Sequence, residues 1–225
     1  MAVKKSRGIE DVLHILCDSV KGVLSTATGT DIRYSPMIQK TNKICLKPDI
    51  GCFVVFSGGF SGLVVMNFSA DSAMEIYQNY FTSMGMPEED LAILHTSDEV
   101  GDSLGELMNQ CIGNFQNALK KEFRLTVNQN QPKMIVLTQE LLVAINARID
   151  APQYRKVSFE TEKRHPFYVE LAMEKTEFLA LYPFKEEEEI PDVEALIAEG
   201  KINAKEEVSI KQNTVDEDFM KELGL

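Results

Sequence analysis

Apolar residues recur at helical spacing near the start of the chain, at Ile9, Val12, Leu13, Leu16, Val20, Val23 and Leu24. The run stops at Ser25-Thr26-Ala27-Thr28-Gly29, which predicts an amphipathic helix over roughly 9–26. The pattern then changes to two β-rich runs, CFVVFS (52–57) and GLVVMNFS (62–69), joined by the glycines of SGGFSG, which predicts a hairpin. Ser69 is placed to cap a second helix of about 70–84 with the face Ala73, Met74, Ile76, Tyr77, Tyr80, Phe81 and Met84, ended by Gly85 with Pro87 beyond. Thr96-Ser97-Asp98-Glu99 has the form of a capping box, so a third helix is expected from there to about 122. Beyond it the segments KMIVLT, LLVAINARI, RKVSFETE and FYVELAME have the β-branched or alternating character of strands, the last three suited to antiparallel neighbours.

Helix, hairpin, helix, long helix and then strands is the order of an α+β domain, with helices packed on one face of an antiparallel sheet. The pattern breaks at KEEEEIP, which divides the chain into a folded domain over 1–183 and an extension over 184–225. In that extension PDVEALIAEG is a candidate short helix, KEEVSIKQNT a linker and VDEDFMKELGL a small acidic amphipathic helix.

Charge sharpens this division. The net charge is -12, and residues 184–225 hold 13 Asp and Glu against 5 Lys, which is -8, leaving -4 for residues 1–183. An acidic chain lacks the cations that neutralise phosphates, so nucleic acid is not an expected partner. No apolar run approaches the roughly 20 residues that span a bilayer, and charges enter the first apolar segment, so neither a membrane span nor a secretory signal is expected and the cytoplasm is the expected location. Cys17, Cys45, Cys52 and Cys111 show no CxxC pairing, and His14, His95 and His165 lie far apart, so reduced structural thiols and no metal site are expected. Gly58-Gly59-Phe60-Ser61-Gly62 lacks both the GK[ST] of a phosphate loop and the Gly-x-Ser-x-Gly of a nucleophile elbow, which leaves a hairpin turn.

Chemistry is concentrated on the long helix. At about 100° per residue, Val100, Leu104, Leu107, Met108, Cys111, Ile112, Phe115, Ala118 and Leu119 gather on one side. Asp102, Glu106, Asn109, Gly113 and Lys120 fall in a narrow band opposite, and Glu106 and Asn109, three residues apart, project outward together. An interior helical glycine costs about 1 kcal/mol relative to alanine. Gly101 and Gly105 are expected to face inward and admit a neighbouring element, whereas Gly113 leaves an outward notch.

The segment DSLGELMNQCIGN (102–114) resembles the signature of the CheC and CheX chemotaxis phosphatases: Ser or Asp, then Glu-x-x-Asn four residues on, followed by small residues and often a second Asn. The element order over 9–183 also resembles CheX, and the whole chain looks like an uncharacterised bacterial family that carries this domain. The resemblance implies an enzyme that dephosphorylates the aspartyl phosphate of a CheY-like response-regulator receiver. Asn109 would orient the attacking water, Glu106 would pair with the receiver's lysine, and Asp102 and Gly113 would support them. It implies no cofactor held by this chain itself, with Mg2+ on the receiver, and it implies a homodimer. The first helix has no Glu-x-x-Asn, so one site per chain is expected, as in CheX and unlike CheC. A non-catalytic module that binds a receiver or motility component on the same fold is the alternative.

The last ten residues, DEDFMKELGL, are similar to the C-terminal peptide of CheZ, which tethers the same kind of receiver. Phe219, Met220, Leu223 and Leu225 would be its apolar anchors. A helix folding back on its own domain, or a dimer contact, is the other reading of these residues.

Overall fold

The computed structural model describes residues 6–143 and 152–180. The chain divides into a unit Met1–Ala180 and a unit Leu181–Leu225. The second unit lies outside the described residues, as do the expected boundary at 184 and the anchors Phe219, Met220, Leu223 and Leu225.

Helix α1 (Ile9–Thr28) opens with the Gly8 N–H donating to the Asp11 carboxylate at 2.9 Å and closes on Gly29, whose φ of 67° is left-handed. Its apolar stripe is buried except for the half-buried Val23, and Ile15 and Cys17 are buried beside it, widening the covered face. Four short or medium strands follow: β1 (Arg33–Tyr34), β2 (Gln39–Thr41), β3 (Ile44–Leu46) and β4 (Ile50–Gly58). Strand β4 forms the expected hairpin with β5 (Gly62–Phe68), in register from Ile50 opposite Phe68 to Phe56 opposite Gly62. Gly62 is required there, because a Cβ would strike the Phe56 ring and lie 2.6 Å from the Ala172 carbonyl oxygen.

Helix α2 (Ala70–Ser83) is capped by Ser69, whose Oγ accepts from the Ser72 N–H at 3.2 Å. A single 3-10 turn, Glu88–Asp90, leads to α3 (Asp98–Phe123). The expected capping box does not form. Ser97 occupies the N-cap position, yet its hydroxyl makes no cap bond and is buried without a partner. Local spelling licensed the motif, but the cap geometry is set by how the preceding chain enters the helix.

The remaining strands are β6 (Val127–Gln129), β7 (Lys133–Val136), β8 (Leu141–Val143), β9 (Gln153–Glu160) and β10 (Pro166–Met173). Eight strands make one antiparallel sheet in the order β1-β9-β10-β5-β4-β6, with β2 also on β9 and β7 also on β4. The three helices cover one face, as expected of the α+β class. Val64, Met66, Val157, Phe159, Phe167, Val169 and Leu171 point at them from alternate positions. The opposite face has its own small core: β3 and β8 pair into a two-stranded ribbon, and Ile44 and Leu46 pack on Leu63, Val65 and Ala172. This explains why β5 is buried at all seven positions and reads as an apolar run interrupted only by Asn67.

Two of the polar contacts that tie helices to the sheet use buried charged side chains. Arg155 of β9 is buried and donates twice to Glu10 Oε1, at 2.9 and 2.7 Å, anchoring the first turn of α1. Burial alone would raise the Glu10 carboxyl, but these charge-assisted bonds outweigh it and hold the group below its usual value. Glu75 of α2, buried beneath the β9–β10 turn, accepts from Thr161 Oγ1 at 2.5 Å, the Lys163 N–H at 3.0 Å and His165 Nδ1 at 2.8 Å. All four cysteines are free and buried, and burial pushes the Cys17 and Cys52 thiols each up to about 12.

Candidate functional site

Helix α3 can present a polar band because its other side is fully engaged. Val100, Leu104, Leu107, Met108, Cys111, Ile112, Phe115 and Leu119 are buried, joined by Ser103 and Phe123. Phe115 meets Phe56 of β4 edge-on, with centroids 6.3 Å apart, and the Gln116 amide donates to the Val127 carbonyl at 3.0 Å. These contacts remove the helix's freedom to roll, so the direction of its outer face is determined by the core.

On that outer face Asp102 and Glu106 are exposed, while Asn109 and Gly113 are half-buried. All four therefore share the band that helical geometry assigns them. Gln110 Nε2 donates to Glu106 Oε1 at 3.2 Å, a one-turn contact that orients the carboxylate along the helix axis. Among the described residues the Asn109 carboxamide has no hydrogen-bond partner, which leaves a donor and an acceptor for a visiting group. A Cβ built on Gly113 meets nothing within 4 Å, so the surface is recessed there by one side chain.

The inner glycines divide differently from expectation. A Cβ on Gly105 would lie 3.4 Å from Met134 Cγ, so β7 does approach the helix there. A Cβ on Gly101 would meet nothing within 4 Å, which corrects the expectation that this glycine admits a neighbouring element: half-buried in the first turn of α3, it has none in close approach among the described residues. Among the described residues no group of three His, Cys, Asp or Glu side chains is arranged to hold a metal ion.

The profile of the family described as protein of unknown function (DUF3334) matches residues 3–225. The chain belongs to the DUF3334 family. No curated protein matches this DUF3334 chain in sequence. Solved structures show what its fold is similar to. The chemotaxis protein CheX from Desulfovibrio desulfuricans superposes with a TM-score of 0.59 at 18% identity, covering 73% of this chain and 99% of that one. FliY of Thermotoga maritima gives 0.54 at 20% identity, covering 74% and 87%. A chain of the CheX–CheY–BeF3–Mg2+ complex from Borrelia burgdorferi gives 0.51 at 15% identity, covering 73% and 99%. The DUF3334 chain thus has the CheX-like α+β fold. Among the described residues no helix is long and apolar enough to cross a membrane.

Proposed function

We propose that this protein dephosphorylates the aspartyl phosphate of a response-regulator receiver, with Glu106 and Asn109 as its site. The observation that carries the reading is their arrangement. An outward carboxylate and a carboxamide with no hydrogen-bond partner among the described residues stand one turn apart on a helix locked by its buried side, beside the recess at Gly113. Such a pair holds no nucleophile, and phosphoryl transfer asks little covalent chemistry of the protein, relying on positioning and charge stabilisation.

The chain's part in the reaction follows from the groups available. Glu106 engages the receiver's active-site lysine and registers the two proteins. Asn109 accepts from a water with its Oδ1 and directs that water's oxygen in line with phosphorus. The P–O bond to the receiver aspartate breaks as the water oxygen bonds to phosphorus, which yields inorganic phosphate and the free carboxylate. The receiver brings the Mg2+ that neutralises the phosphoryl oxygens. The recess at Gly113 admits the edge of the partner without a side chain in the way. The fold's occurrence in a CheX bound to CheY with BeF3 and Mg2+ supports this choice of partner.

The test is the decay of a phosphorylated receiver with wild type, Glu106→Ala and Asn109→Ala. Loss of accelerated decay in both variants is expected. Equal decay in all three, with binding retained, would instead make the protein a non-catalytic binding module.

A further inference from the structure

Residues 48–119 contain ten Asp and Glu and not one Lys or Arg. Seven of those acids, Glu88, Glu89, Asp90, Asp98, Glu99, Asp102 and Glu106, are exposed in the connection between α2 and α3 and along the outer face of α3. In the same connection Ile93 is 86% exposed, Leu94 61%, Met84 60% and Met86 40%. Large apolar side chains exposed together within an acidic field are the composition of a docking surface, not of plain solvated loop.

The exposure is built in. Leu91 is buried, and the Ala92 N–H donates to the Tyr77 hydroxyl at 3.1 Å, so the residues just before Ile93 are pinned to α2. The Ser97 N–H donates to the Leu94 carbonyl at 3.1 Å and Val100 is buried, which pins the residues just after. Ile93 and Leu94 are held outward between these two fastenings. From the start of α3 at Asp98 to Glu106 is about 12 Å at the helical rise, and a standard interface covers about 800 Å2 on each partner. One partner seated on Glu106 and Asn109 therefore extends to the exposed acids Asp102, Glu99 and Asp98 at the start of α3, where the connection joins the helix.

We infer that the α2–α3 connection is the affinity-determining part of the receiver interface. Ile93 and Leu94 enter an apolar depression on the receiver, and the surrounding carboxylates steer the face that carries the receiver's active-site lysine onto the site. The inference rests on the receiver reading above and adds to it where binding energy and association rate come from. Charge selects this occupant over a second copy of the chain, because two such faces brought together would be acid against acid.

The test uses the full chain and receivers of the same cell, loaded with beryllofluoride and Mg2+ for binding and phosphorylated for turnover. Ile93→Ser with Leu94→Ser should weaken binding about tenfold and raise KM by the same factor, with kcat unchanged. Replacing Glu88, Glu89 and Asp90 by Gln should slow association about tenfold at low salt and flatten its dependence on ionic strength. Unchanged Kd and association rate, alongside loss of dephosphorylation in Glu106→Ala and Asn109→Ala, would overturn this inference and leave the proposed function standing. Absence of any receiver binding by wild type would overturn both. A self-association lost in the Ile93/Leu94 variant, with receiver binding intact, would assign the patch to a second copy and overturn it.

Discussion

The Glu75 carboxylate accepts from His165 Nδ1 at 2.8 Å across an 89-residue gap in the chain, joining helix α2 to the turn between β9 and β10. The same carboxylate also takes the Thr161 hydroxyl and the Lys163 N–H. Removing it strands the buried Thr161 hydroxyl away from water and leaves the other two donors without their acceptor. Glu75→Ala should therefore cost about 2–4 kcal/mol of stability, read as a lower denaturant midpoint with unchanged slope. Glu75→Gln keeps an acceptor and should cost less.

Two N-cap serines should respond oppositely to alanine. Ser69 accepts from the Ser72 N–H and donates to the Pro166 carbonyl at 3.1 Å, so Ser69→Ala should cost about 1 kcal/mol. The Ser97 hydroxyl is buried without a partner, and Ser97→Ala should be neutral or stabilising. Thermal unfolding of the two variants side by side checks the contrast, and a cost at Ser97 equal to that at Ser69 would show that its hydroxyl is paired.

Gly113 supplies a test of the site that does not touch its functional groups. A Cβ there meets nothing within 4 Å among the described residues, so Gly113→Ala should stabilise the helix by up to about 1 kcal/mol. A bulkier Gly113→Leu fills the recess, and receiver dephosphorylation should fall through KM while the unfolding midpoint holds. Full activity in the leucine variant would mean that no partner enters the recess.

Glu170 predicts a pH dependence. It is buried on the sheet face away from the helices, and burial raises its carboxyl above the ordinary value, opposed by the nearby Lys156 and Lys47. The folded protein then holds this proton to a higher pH than the unfolded chain does. Its contribution is most favourable below the ordinary carboxylate range, and stability is lost as pH rises through the window up to the raised value. Glu170→Gln, which keeps an acceptor for Asn67, should flatten that decline and be at least as stable as wild type near neutral pH. A steeper decline in the variant would reverse the sign assigned here.

Much of the helical layer was legible along the chain because its causes are local. The stripe Ile9 to Leu24, the cap at Ser69, and the single-sided apolar face from Val100 to Leu119 each follow from a period of 3.6 residues and a short-range cap. The β4–β5 hairpin and the two long strands β9 and β10 were equally plain from their alternation and β-branched content. The outward placement of Asp102, Glu106, Asn109 and Gly113 needed only helical geometry.

What the periodicity could not supply depends on pairing across long separations. Strands β1, β2, β3 and β6 are two or three residues each, too short to show a period, and they exist because β9, β8 and β4 offer them hydrogen bonds. The ribbon of β3 and β8 that closes the second sheet face, the Arg155–Glu10 anchor and the Glu75–His165 tether join residues about 90 to 145 apart. The failure of the capping box at Ser97 has the same origin, since the entry of the chain into α3 is set by Leu91 and Ala92 against α2. The sequence by itself determined which faces of each helix are polar and where the Glu-x-x-Asn pair lies. Only the tertiary structure decided that α3 cannot roll and that Ile93 and Leu94 stand exposed in the connection leading into that helix. Local residue patterns specify a side chain's direction about its own helix, but burial and exposure are settled by what packs against that helix from elsewhere in the chain.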